Sequence, residues 1–155
     1  MNTLAAFEVL GVPAPQGSHT KMPNGVILSG SSKTGRAKHK AWRTAVAEAA
    51  RDVADDPDMA APFDGPLFLS IEFRFPMPKS RPAKARTAGR WPHMVKPDID
   101  KVLRATADGL TAGGLIADDS RICAVECEAW EVIGWTGAVI TVGRQTPFDL
   151  AGRVA

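Results

Sequence analysis

Two groups of aspartates stand where phosphodiester chemistry can use them. Asp98 and Asp100 lie in the run Lys96-Pro97-Asp98-Ile99-Asp100-Lys101, and Asp118-Asp119 follow behind the glycines Gly113-Gly114. Carboxylates that converge repel one another unless a cation joins them. Hard divalent ions such as Mg2+ take oxygen ligands, commonly one or two carboxylates with waters and phosphate oxygens completing the shell. Lys96, Lys101 and Arg104 add positive charge for a phosphate beside the acids. Metal-assisted hydrolysis of a phosphodiester is the chemistry this set of residues fits.

The neighbouring residues say how the acids are presented. Ile99, Val102, Leu103, Ala107 and Leu110 fall near i, i+3, i+4, i+8 and i+11, which marks one face of a helix. Pro97 biases Lys96 toward extended backbone and Asp98 is a favoured N-cap type, so the helix begins within a residue or two of Asp98. With Asp98 extended and Asp100 in the first turn, the two carboxylates converge despite an i, i+2 spacing that splays side chains within a helix. The structural alternative is a capping acid, worth about 0.5–2 kcal/mol. Adjacent acids such as Asp118-Asp119 also commonly decorate turns. A cap needs one acid, however, and here two alternate, with a further pair downstream.

These residues resemble the RusA-like Holliday-junction resolvases, small bacterial and phage endodeoxyribonucleases that cut four-way DNA junctions. The family pattern is Lys-Pro-Asp-x-Asp-Asn, a short helix carrying a lysine, a further Asp and Leu, then Asp-Asp before a strand. This chain reads Lys96-Pro97-Asp98-Ile99-Asp100-Lys101, Arg104, Asp108-Gly109-Leu110 and Ala117-Asp118-Asp119-Ser120-Arg121-Ile122. The resemblance implies that Asp98, Asp100 and Asp119 are the catalytic, metal-binding acids, with Asp118 beside them as a lesser candidate. It implies Mg2+ as the ion, or Mn2+ in its place. Lys101 stands where the family has Asn and Arg104 where it has lysine, so the catalytic cation is Arg104 or Lys101. Arginine keeps a bidentate phosphate grip but does not release a proton near neutral pH.

The resemblance further implies a role in DNA recombination and repair, a cytoplasmic location in a bacterium or phage-infected host, and a homodimer. A two-fold protein presents two identical sites to the two symmetric strands of a junction. Two other readings stand beside it. One is a non-catalytic junction-binding protein of the same fold, consistent with the substitutions at Lys101 and Arg104. The other takes the acids as caps and the basic segments as sites for an acidic protein.

A formal net charge of +2 conceals a strong asymmetry. Six cations and no acid occur from Lys21 to Arg43, and six more with no acid from Lys79 to Lys96, together twelve of the nineteen Lys and Arg. Segments of this kind neutralise phosphates and make binding weaken steeply with salt. Lys79, Arg81, Lys84, Arg86, Arg90 and Lys96, with Lys38 and Lys40, are the expected DNA-gripping residues. Trp91 in the second segment either stacks on an unpaired base or anchors the loop, and the anchor is favoured.

The elements that must position these residues are modest in number. Strands are expected over about 7–12 and 67–75, a helix over about 38–53, the motif helix from Asp98, and a hairpin of 121–132 with 137–143. Basic loops over about 13–37 and 76–97 should be irregular, the second ordered only with DNA, and the tail from about 145 shows no period. The plan is α+β: two main helices on a small mixed or antiparallel sheet of about four strands, in one domain over residues 1–155. No apolar run reaches membrane-spanning length and no signal-peptide pattern opens the chain, so a membrane is not an expected partner. Cys123 and Cys127, four apart on an expected strand, are about 13 Å apart and stay unpaired with each other. His19, His39 and His93 lack zinc-site spacing to them.

Overall fold

Leu67, Leu69, Ile71, Phe73 and Phe75 alternate along one strand, and all five are buried. This strand organises the molecule. A computed structural model describes residues 2–17, 19–21, 23–25, 27–29 and 32–146. In chain order it contains β1 (Asn2–Leu10), β2 (His19–Lys21), β3 (Ile27–Ser29), α1 (Lys33–Ala54), β4 (Leu67–Pro76) and α2 (Ala83–Ala88). There follow β5 (Arg90–Pro92), α3 (Ile99–Ala112), a 3-10 turn at Asp119–Arg121, β6 (Ile122–Val132) and β7 (Gly137–Arg144).

The architecture is α+β, with α1 and α3 as the two main helices on a five-stranded mixed sheet ordered β1-β7-β4-β6-β5. The fifth strand is β5, a three-residue edge piece within the second basic segment. It is too short for a period-2 signal and contains Pro92, which the edge of a sheet tolerates. β2 and β3 form a separate antiparallel pair within the first basic loop.

β6 and β7 do not form the expected hairpin. β4 lies between them, parallel to β6 and antiparallel to β7. Val132 is in register with Pro76 and Gly137 with Arg74, so residues 133–136 cross the C-terminal end of β4. The central place pairs both edges of the most apolar strand. Arg74 lies 4.2 Å from the centre of the Trp135 ring and fastens the crossing.

α1 begins at Lys33, earlier than its apolar periodicity indicates, because Ser32 caps it by accepting from the Gly35 amide at 3.1 Å. Trp42, Val46 and Ala50 of α1 and Val102, Ala105 and Leu110 of α3 are buried over the sheet. The Trp42 indole donates to Thr106 Oγ1 at 3.1 Å inside this interface. Two glycines set how closely the helices approach. A Cβ on Gly109 would lie 2.7 Å from Val46 Cγ1, and one on Gly113 would lie 2.4 Å from the Ala47 carbonyl oxygen.

The second basic segment is ordered by its own contacts rather than left irregular. Arg86 donates to the carbonyls of Lys79 and Arg81, and Gly89 closes α2 with φ 69°. Residues 147–155, the greater part of the expected tail, lie outside the described residues. Among the described residues no helix is long and apolar enough to cross a membrane. Both cysteines are free thiols.

Candidate active site

At the entrance of α3 the backbone adopts the arrangement that lets Asp98 and Asp100 converge. Asp98 is the N-cap, extended at φ −69° and ψ 139°, and its side chain makes no capping hydrogen bond. Asp100 lies in the first turn and is exposed. The two carboxylates therefore stand at one helix N-terminus with neither consumed in capping. Lys101 Nζ is 3.4 Å from Asp98 Oδ2, and both side chains are about half exposed. Arg104, exposed, follows Asp100 by four residues and so shares its face of the helix.

The segment leading into these acids is held from below by residues that the motif does not contain. His93 donates its backbone N–H to the Ala129 carbonyl at 3.0 Å, and its Nε2 lies 3.3 Å from the Pro97 carbonyl. Its ring stacks on Phe75 at 4.0 Å between centres. His93 Nδ1 is 3.5 Å from Glu131 Oε1, a charge-pair distance but without hydrogen-bond geometry. Glu131, 1 % exposed, accepts two bonds from the Arg81 guanidinium at 2.5 and 2.6 Å. That bidentate partner holds the Glu131 carboxyl below its ordinary range against the opposing effect of burial, and Glu131 in turn raises Arg81. Glu131 escaped the reading of the sequence. The available signal was its inward position on β6, in step with Cys127 and Ala129.

Asp119 is placed elsewhere. It opens the 3-10 turn just before β6, and Ile122 pairs with Leu67 at the start of β4. Ala129, which lines the same depression as Asp98 and Asp100, lies seven residues farther along β6, about 23 Å away in extended chain. Asp98 and Asp119 thus stand toward opposite ends of β6, with α3, about 21 Å long, between them. Asp118 Oδ1 accepts from the Ser120 amide at 2.8 Å, so it caps the turn, and its interaction with Ser120 lowers its pKa. Among the described residues no three His, Cys, Asp or Glu side chains are grouped to hold a metal ion.

The basic residues divide into two sets. Arg81 and Arg86 are engaged as above. Arg90 reaches Glu72 at 3.3 Å and Glu128 at 3.4 Å and lies 3.8 Å over the Trp130 ring. Lys84 lies 5.6 Å over Trp91, which is half-buried on β5 and so anchors its segment. Lys38, Lys40, Lys79 and Lys96 are exposed. Trp42 is core, whereas Trp130 and Trp135 lie beneath arginines.

A cleft of about 1130 Å3 opens beside Asp98, between the chain after β1, the first half of α1 and residues 95–98. Lys38, Lys96 and Lys101 line it with Asp98, while His93 and Glu131 contribute to its inner wall. Exposed acids, cations and an open cleft meet at one helix entrance, an arrangement suited to holding a phosphate next to a hard cation.

The family model described as endodeoxyribonuclease RusA matches residues 20–142 of the 155-residue chain, a span that includes α1, α3, β4 and β6. A search of the curated proteins found no match. The match takes in the whole aspartate motif and four fifths of the sequence, and the chain belongs to the RusA endodeoxyribonuclease family.

Proposed function

We propose that this protein is a divalent-metal-dependent endodeoxyribonuclease that resolves four-way DNA junctions by paired, symmetric nicks. The observation that carries the reading, beside the family, is the pair Asp98 and Asp100. Both carboxylates stand at one helix entrance, exposed and free of capping duty. Two such oxygen donors fit Mg2+, which commonly takes one or two carboxylates with waters and phosphate oxygens. When bound, the ion supplies a Lewis acid that polarises the phosphate and makes water a better nucleophile. Lys101, already beside Asp98, and Arg104, on the face of Asp100, offset charge that grows on the phosphate during attack. Lys38, Lys40, Lys79 and Lys96 hold flanking phosphates.

Asp119 enters this scheme through a homodimer. One chain leaves it far from Asp98 and Asp100, so its part in the ligand set falls to a second copy. Mixing Asp100→Asn protein with Asp119→Asn protein then restores one intact site per mixed dimer, and nicking returns on one strand. No recovery in the mixture removes Asp119 from the ligand set.

The first experiment is incubation of the protein with a labelled four-way junction and a matched linear duplex, each with Mg2+ and with EDTA. Paired Mg2+-dependent nicks in the junction alone are expected. Asp100→Asn should abolish cutting and leave junction binding intact, and loss of both would count against its assignment. A second reading, a junction-binding protein without cutting activity, draws on Lys101 and Arg104, which stand where the family has Asn and lysine. It predicts tight junction binding and no nick in any metal.

A further inference from the structure

Seven large apolar side chains are strongly exposed among the described residues, and four of them (Val12, Met94, Val95 and Ile99) line the cleft beside Asp98 or the shallower depression that shares Asp98 with it. Val12 is 54 % and Val95 52 % exposed, so water covers apolar surface next to the acids. That surface has a charged border, because Lys38, Lys96 and Lys101 line the same cleft. A continuous duplex offers phosphates and groove edges and keeps its base faces stacked, so it has little to match exposed valines and prolines. An unpaired nucleotide offers both parts, an apolar base face and a phosphate on either side. The volume of about 1130 Å3 leaves room for the base with its sugar.

We propose that this cleft seats an unpaired base from the branch point of the junction, next to the phosphate to be cut. The proposal rests on the reading of the protein as a junction nuclease and adds the subsite that distinguishes a branch from a duplex. Lys38 and Lys96 hold the phosphates that flank the unpaired nucleotide, and Asp98 lies where the strand leaves the cleft.

Photocrosslinking tests it directly. Junctions carrying 5-iododeoxyuridine at the branch point or in mid-arm are irradiated with the wild-type protein in Ca2+ in place of Mg2+, and the joined peptides are mapped. The branch-point probe should join to residues 11–15 or 93–97, and the mid-arm probe should not. In parallel, Ala41→Trp fills the cleft from an exposed position on α1. Junction affinity should fall about tenfold, the scale of one stacked base, with linear-duplex affinity at the same salt unchanged. Branch-point crosslinks confined to other segments overturn the proposal, as does an Ala41→Trp protein that binds and nicks junctions like wild type. Conversion of a dimer to monomer by Ala41→Trp also overturns it, since the occupant is then a second copy. In each of these cases wild-type cutting of junctions keeps the nuclease reading intact. A wild-type protein that neither prefers nor cuts junctions removes both.

Discussion

Asp98 and Asp100 owe their arrangement to one backbone decision, the switch from extended to helical conformation between them. Pro97, a capping residue type and an apolar stripe forecast that switch, so the backbone that presents this part of the candidate site was legible in the sequence. The support beneath it was not, because Glu131 and Arg81 are fifty residues apart and a charged residue on a strand usually faces solvent. Glu131→Ala should lower stability in urea unfolding at neutral pH, since it removes the bidentate partner of Arg81 and leaves a void at the buried end of β6. The sign with pH follows from the depressed Glu131 carboxyl. Its contribution is present above the usual carboxylate range and is lost as pH falls through the lowered folded value. Glu131→Gln should therefore flatten the acid limb of the stability curve. The thiols differ in a similar way. Burial pushes Cys127 up to about 11, whereas Cys123 is exposed. Iodoacetamide should modify Cys123 first and reach Cys127 only on unfolding, as peptide mass spectrometry would show.

Among the elements, β4, α1 and α3 could be read from their periods, and their principal buried residues follow from those periods. β5 and the sheet order could not. A three-residue strand has no period, and partner choice depends on which edges are left to pair. The close seam between α1 and α3 was also hidden, because a helical glycine reads as a weakness until a neighbour is seen against it. Gly109→Ala tests the seam. Alanine is the better helix former by about 1 kcal/mol, yet overpacking against Val46 should leave the protein about 1–2 kcal/mol less stable in thermal unfolding. A gain in stability would mean that the helices separate easily.

For the whole molecule, the division of basic residues into engaged arginines and exposed lysines predicts how junction binding should respond to salt. Lys79→Ala and Lys96→Ala should each lower the slope of log affinity against log salt by about 0.9. Arg81→Ala should instead lower stability and disturb the segment below Asp98, with a smaller change in slope. Titrations of a junction at several salt concentrations separate the two groups. The order of the sheet has a consequence for biosynthesis. Among the described residues β1 pairs with β7 alone, and β7 joins β1 to β4. β1 thus waits for a strand more than a hundred residues later, and pairings of such sequence separation form slowly. The crossover that carries Asp98 and Asp100 is likewise anchored on β6, through Ala129 and Glu131. Asp98 and Asp100 are therefore held in place only once β6 has been made and has joined the sheet, about thirty residues after the acids themselves.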